Sequence, residues 1–245
     1  MNVTICLVDL MQYPNSEAMR LLSATINTMP GTSSHAEGTE TPQSISFVVY
    51  LGEGQEESQY LEMLSEGKGN IIDVFKYYLD SHQQITLSHP KHRFKALVEF
   101  LESDSSGYSA ALDKAFLISD RDSQSFKEEQ YDEMLKNCED KDIVWIVSNP
   151  SFQLWLLFHF TDDIESLELE KISSCKKQIQ EIETHIKALS KYGYTHGNLK
   201  TSVFKPLIEV AIKNSAPYCL SVEDLKESIG TNFSELVKYI QSTGR

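Results

Sequence analysis

The sequence predicts an α/β fold: a mostly parallel sheet flanked by helices, with a helical C-terminal cap. Three observations lead there. Apolar runs of strand length occur at 47–51, 115–118 and 143–147. Stretches with helical spacing separate them, and such alternation builds a sheet with helical crossovers. Beyond Pro150 the strand signals fade and helical spacing takes over. Continuous apolar runs suit strands buried on both faces of a parallel sheet. The expected organisation is an α/β core over residues 1–150, of which 1–43 form an N-terminal extension and loop. A helical C-terminal region over 151–245 would pack on it.

The elements follow in order. Residues 3–10 read as a strand, and a helix follows with Asn15 as its cap and Met19, Leu22, Ile26 and Met29 on one face. Residues 30–43, rich in Gly, Ser, Thr and Glu, read as a loop. After the first apolar run, a helix contains Tyr60, Leu61 and Leu64, and a further helical stretch is expected over 71–79. Pro90 opens a helix carrying Phe94, Leu97, Val98 and Leu101. Another helix is expected over 126–137. Helices at 152–160, 176–190, 203–214, 222–229 and 232–241 complete the cap.

The chemistry is concentrated where the apolar runs end. The first stops at Gly52-Glu53-Gly54, the second at Ser119-Asp120-Arg121-Asp122, and the third at Ser148-Asn149-Pro150. Ligand sites of open α/β sheets form at the carboxyl ends of the strands. Glu53, Asp120 and Asp122 gathered there make a hard-oxygen set suited to Mg²⁺ or Mn²⁺ and to phosphate chemistry. Each element also has an ordinary structural reading. Glu53 before Gly54 fits a plain turn, and the Asp pair fits a helix-capping turn. Glu56 and Glu57 open a helix, where negative charge suits the dipole; Glu57 is the better candidate for a supporting role. Arg121 and Asn149 adjoin the same strand ends. Phe152, Trp155, Leu156 and Phe158 read as core, and His159 as a hydrogen-bonded structural histidine. His196 and Lys200 share a loop-like segment suited to substrate contact. The second Glu-Gly, at Glu37-Gly38, follows no apolar run and is set aside.

Glu53-Gly54, Asp120-Arg121-Asp122 and the string Ser148-Asn149-Pro150-Ser151-Phe152-Gln153-Leu154-Trp155-Leu156-Leu157 together resemble the RloB-like family, a branch of the Toprim superfamily. The resemblance runs from about residue 45 to about residue 216, and the last string is its most specific part. It implies a Toprim-like sheet and Mg²⁺-dependent phosphodiester hydrolysis of DNA or RNA in prokaryotic anti-phage defence. Glu53 would be acid/base or metal ligand, and Asp120 and Asp122 metal ligands. The implied partners are a nucleic acid, tRNA among the candidates, an ATPase from the same operon, and a second copy of the chain. Family members usually carry Glu where this chain has Gln153, which offers a carbonyl oxygen but no charge. A non-catalytic nucleic-acid-binding or sensor subunit is therefore the alternative.

Composition narrows the classes further. A net charge of −14 argues against a general nucleic-acid coat. Residues 171–213, however, hold eight lysines against three glutamates, a local balance of +5, and include Lys200 and Lys205. That segment is either a path for a phosphate backbone or a solvated helix face. Cys6, Cys138, Cys175 and Cys219 form no Cys-x-x-Cys pair, so neither a zinc site nor a disulfide framework is expected. The first residues lack the basic and cleavage signals of a secretory leader, and no apolar run reaches membrane-spanning length. A cytoplasmic protein is the expectation. No Walker loop and no Gly-x-Ser-x-Gly elbow occurs, which disfavours NTPase and serine-hydrolase chemistry.

Overall fold

A computed structural model describes residues 55–66, 90–103, 108, 110, 113–121 and 126–242, together with the backbone strands at 46–50 and 72–76. The expectations for 3–43, Glu53 and Asp122 lie outside these residues.

Five strands form the main sheet: β1 (Ser46–Tyr50), β2 (Ile72–Lys76), β3 (Lys114–Asp120), β4 (Ile143–Asn149) and β7 (Gly230–Thr231). Their spatial order is β2-β1-β3-β4-β7. The first four run parallel, and β7 pairs antiparallel with β4. The expected α/β sheet of mostly parallel strands is therefore present. Residues 72–76 are a strand rather than part of a helix. Ile72-Asp73-Val74-Phe75-Lys76 holds two β-branched residues and an aromatic one, and pairing with β1 outweighs weak helical spacing over so short a segment.

Helices cover both faces. On one, α2 (Pro90–Leu101) and α3 (Glu128–Asp140) bury Leu97, Tyr131, Met134 and Cys138 against Ala115, Leu117, Trp145 and Val147. The 131, 134, 138 spacing is one helical face. On the other, α1 (Gln55–Ser65), α4 (Gln153–Leu157), α5 (Cys175–Leu189), α6 (Thr201–Phe204), α7 (Ile208–Ser215) and α8 (Phe233–Ser242) enclose Phe116, Ile118 and Ile146. Neighbouring residues of β3 and β4 thus point to opposite cores, as strand pleating requires.

The cap differs in detail from its expectation. Pro206 interrupts the 203–214 helix, leaving a 3₁₀ turn at Lys205–Leu207 between α6 and α7. The stretch 222–229 holds one 3₁₀ turn, Asp224–Lys226, and the chain then enters β7. Asn232 extends the β7–β4 pairing with its side chain: Oδ1 accepts from the Val147 amide at 2.7 Å and Nδ2 donates to the Trp145 carbonyl at 2.9 Å. A side-chain amide that mimics a peptide group needs no strand signal, which is why β7 escapes detection in the sequence. A second small sheet, the hairpin β5 (Tyr194–Thr195) and β6 (Asn198–Leu199), turns at Gly197, whose φ of 77° suits glycine. Among the described residues no helix is long and apolar enough to cross a membrane.

The aromatic core beneath α1 is fully packed. Tyr60 meets Phe152, Trp155, His159 and Phe233 edge-on, with ring centroids 5.4 to 6.1 Å apart. Phe152, Trp155, Leu156 and Phe158 are core residues, as their pattern suggests. His159 is hydrogen-bonded and structural. Its Nδ1 lies 3.2 Å from the Trp155 carbonyl, which can only accept, so Nδ1 carries the proton. Nε2 then accepts from the Tyr60 hydroxyl at 3.0 Å. Burial lowers the His159 pKa to about 4, so the ring is neutral at physiological pH.

Candidate functional site

The chain leaves β1 toward β2 on one side, then returns past β1 to build β3 and β4 on the other. The reversal lies between β1 and β3, which are hydrogen-bonded neighbours with Tyr50 opposite Ile118. Crevices at such switch points, at the strands' carboxyl ends, are the usual ligand sites of open α/β sheets. Glu53 follows β1 by three residues in sequence, and Asp120 is the last residue of β3.

Asp120 is half-buried, opposite Ser148 of β4. Its Oδ1 accepts the Phe152 backbone amide at 2.8 Å, at the N-terminal end of α4. A carboxylate at that end meets unsatisfied amides and the positive end of the helix dipole. The capping anticipated for this carboxylate is thus real, but it serves α4 across the sheet. Arg121, only 4% exposed, turns to the other face of the sheet. Its guanidinium lies 5.1 Å from the Tyr131 ring centroid and 5.7 Å from that of Phe126, and it donates to the Lys226 and Phe126 carbonyls. It fastens the chain after β3 to the C-terminal region. Asn149 does similar work from β4: its Nδ2 donates to the carbonyls of Leu225 and Ser228, each at 3.0 Å.

A second polar group forms at α1's N-terminal end. Glu56 is 2% exposed, with Glu57 buried beside it. Glu56 Oε1 accepts the Gly197 amide at 2.7 Å and lies 3.3 Å from the Tyr194 hydroxyl. The same hydroxyl lies 3.3 Å from Glu183 Oε1 of α5, and His196 Nδ1 lies 2.8 Å from that oxygen. His196 Nδ1 is also 3.8 Å from Glu56 Oε1. Gln59, one turn on from Glu56, holds the same hairpin by accepting the Leu199 amide at 2.6 Å. Gln153, 8% exposed, hydrogen-bonds the Tyr194 hydroxyl. Burial first, then the charges of Glu56 and Glu183, raise the Tyr194 pKa, so its proton stays on.

The site residues named from sequence therefore divide. Asp120, Arg121 and Asn149 lie at the ends of β3 and β4, but Asp120 bonds to the start of α4 while Arg121 and Asn149 bond to the 225–228 segment. Gln153 and His196 belong to the group between α1, α4, α5 and the hairpin, and Glu57 is buried next to Glu56 on α1. Lys200 is exposed and its backbone amide donates to the Gly193 carbonyl at 2.8 Å. Lys205 pairs with Glu66 at 2.8 Å on the surface. Glu53 and Asp122 lie outside the described residues, and among those residues no group of three His, Cys, Asp or Glu side chains suited to a metal occurs. Sequence reasoning read Glu56 as a helix-start charge and missed Gln59, Glu183 and Tyr194. The glycine turn at Thr195-His196-Gly197-Asn198 is a readable hairpin signal, but its docking on Glu56 joins residues about 140 positions apart.

Comparison with protein families matches the RloB-like protein family over residues 47–240. Comparisons with curated proteins and with solved structures give no match. The family match spans well over half of the sequence and runs from within β1 to within α8. The chain belongs to the RloB-like family.

Proposed function

We propose that the protein is a metal-dependent nuclease of Toprim type, hydrolysing phosphodiester bonds of DNA or RNA in anti-phage defence. One observation carries this reading: the chain reversal between β1 and β3, the two strands whose carboxyl ends lead to Glu53 and to Asp120-Arg121-Asp122. Carboxylates on adjacent parallel strand ends suit a hard divalent cation. Glu53, Asp120 and Asp122 would hold Mg²⁺ or Mn²⁺, which supplies Lewis-acid polarisation of the phosphoryl group and a hydroxide at neutral pH. The Phe152 amide orients Asp120, while Arg121 and Asn149 tie the strand ends to the 225–228 segment. The exposed lysines of the 171–213 segment supply positive charge for a phosphate backbone.

A second reading, a non-catalytic Toprim-fold nucleic-acid-binding or sensor subunit, draws on Gln153. That side chain is neutral and bonded to Tyr194. Incubation with tRNA, single-stranded DNA and duplex DNA, with Mg²⁺, Mn²⁺ or chelator, separates the two. Metal-dependent cleavage that Asp120→Asn and Asp122→Ala both abolish is the expected result. Mg²⁺ or Mn²⁺ should also raise the wild-type melting temperature, because a ligand specific to the native state stabilises it. An undiminished shift in Asp122→Ala would move the metal elsewhere. Binding without cleavage under every metal would favour the sensor.

A further inference from the structure

We infer that Tyr192 is a nucleobase-stacking residue that holds a single-stranded segment beside the candidate site; this rests on the nucleic-acid reading above. The turn between α5 and the hairpin, Ser190-Lys191-Tyr192-Gly193, is tightly built. The Gly193 amide donates to the Ser190 carbonyl at 3.0 Å, and Lys200 bonds back to Gly193. A Cβ on Gly193 would lie 2.9 Å from Val203 Cγ1, so the close approach needs glycine there. The two residues before it adopt left-handed backbone, Lys191 at φ 47° and Tyr192 at φ 75°. Bulky L-residues rarely adopt this region, and glycine or asparagine would adopt it at less cost.

Tyr192 is nevertheless 95% exposed. Its ring gains almost no burial, and its backbone is strained. Folding alone gives no reason for an aromatic residue here, so its role points outward. The surroundings identify the partner's chemistry. Lys191 precedes Tyr192, and Lys200 is tied by its backbone to Gly193; Lys187, one helical turn earlier, pairs with Glu183 at 3.3 Å, and all three lysines are exposed. Leu189, also exposed, adds apolar surface to the same turn. A flat ring flanked by cations matches a chain of stackable bases on an anionic backbone, which is how single strands are held without sequence readout. The bases of a duplex are already stacked on one another and present no free face. The same turn leads into the hairpin that carries His196 and docks on Glu56, three residues after Glu53.

The test uses the full chain, a fluorescein-labelled single-stranded oligonucleotide and its duplex, in chelator so that binding is read without cleavage. Tyr192→Ala should weaken single-strand binding about tenfold, with a smaller effect on the duplex. Tyr192→Phe should bind like wild type. Both native tryptophans, Trp145 and Trp155, are buried, so Tyr192→Trp adds an exposed emitter that the oligonucleotide should quench. Unchanged melting temperatures would show that the variants remain folded. Wild-type binding that Tyr192→Ala leaves untouched overturns the stacking role and leaves the nuclease reading standing. No binding by the wild type overturns both. A change in sedimentation alone on Tyr192→Ala would assign the ring to a contact between two copies, and also overturns the proposal.

Discussion

The corner around Asp120 and the corner around Glu56 both place a carboxylate against a backbone amide, yet they are built in opposite ways. Asp120 is half-buried at a strand end, and its partner amide, Phe152, begins a helix that follows the neighbouring strand. Glu56 is buried between helices and grips a hairpin far along the chain. The first arrangement keeps a carboxylate near solvent at the carboxyl ends of the strands, where a cation can arrive. The second uses its charge internally, on the Gly197 amide and the Tyr194 hydroxyl, and fixes the hairpin's position. On the proposed reading, one corner serves chemistry and the other positioning. Substitutions that change charge without changing shape test that distinction.

The largest expected effect is at Gln153. A Glu at this position would put a third carboxylate near Glu56 and Glu183 and remove the amide that donates to Tyr194. Gln153→Glu should cost about 3 kcal/mol, the range for an uncompensated buried charge, measured by urea unfolding. A gain in Mg²⁺ affinity without loss of stability would instead bring Gln153 into the metal site and erase the contrast between the corners.

His159 comes next, because it underlies the whole assembly. Its pKa is about 4 in the folded protein and 6.5 in the ordinary exposed case. The unfolded chain therefore takes up this proton first as pH falls. Stability is fully present above pH 6.5 and declines as pH drops toward 4, by about 3 kcal/mol from this group alone. His159→Phe should lose that part of the acid sensitivity while keeping what the carboxylates contribute. Unfolding free energies at pH 7 and pH 4.5 check it. Equal acid slopes in the two proteins would mean that His159 is charged in the fold.

How much of this was legible in the sequence follows from chain distance. β1 is announced by its apolar run, and β3, β4, α2, α3, α5 and α8 by local patterning, because each of these six buries residues whose spacing is written in consecutive positions. β2 is misread because 72–76 carries too few residues to separate period 2 from period 3.6, and its identity comes from pairing with β1. β7 has two residues and is held by the Asn232 side chain, a tertiary contact with no local mark. The site divides along the same line. Asp120 and Asn149 are readable as groups at strand ends. What Arg121 does is not readable, since its two rings and two carbonyls come from α3, the segment before it and the C-terminal turn. Glu56 and Glu57 look equivalent in sequence, and only the hairpin distinguishes Glu56.

Glu56→Gln is the sharper probe of that hairpin. The carbonyl oxygen of Gln still accepts the Gly197 amide, but without charge, so a loss of about 1–2 kcal/mol is expected. Hydrogen exchange at the Gly197 and Leu199 amides should speed up while the β3 and β4 amides stay protected. Uniform loss of protection would make Glu56 part of the core rather than the hairpin's anchor.

The smallest effect on stability belongs to the lysines, and there the two corners can be compared through binding. Lys205 pairs with Glu66 across an exposed surface, both side chains being about half exposed, and such pairs contribute well under 1 kcal/mol. Lys200 has an exposed side chain, and only its backbone is used by the fold. Replacing both with Glu should therefore leave the melting temperature nearly unchanged. Binding should respond differently, because each lysine on a phosphate releases a counterion. The slope of log K against log salt should fall by roughly one for each lost contact. Lys200 belongs to the hairpin that Glu56 anchors, whereas Lys205 lies beyond it, against the end of α1. If the anchored hairpin delivers the backbone to the Asp120 corner, Lys200→Glu alone should flatten the slope more than Lys205→Glu alone. Equal slopes in both single variants and the wild type would reduce the basic segment to a solvated face and leave the hairpin without a role in binding.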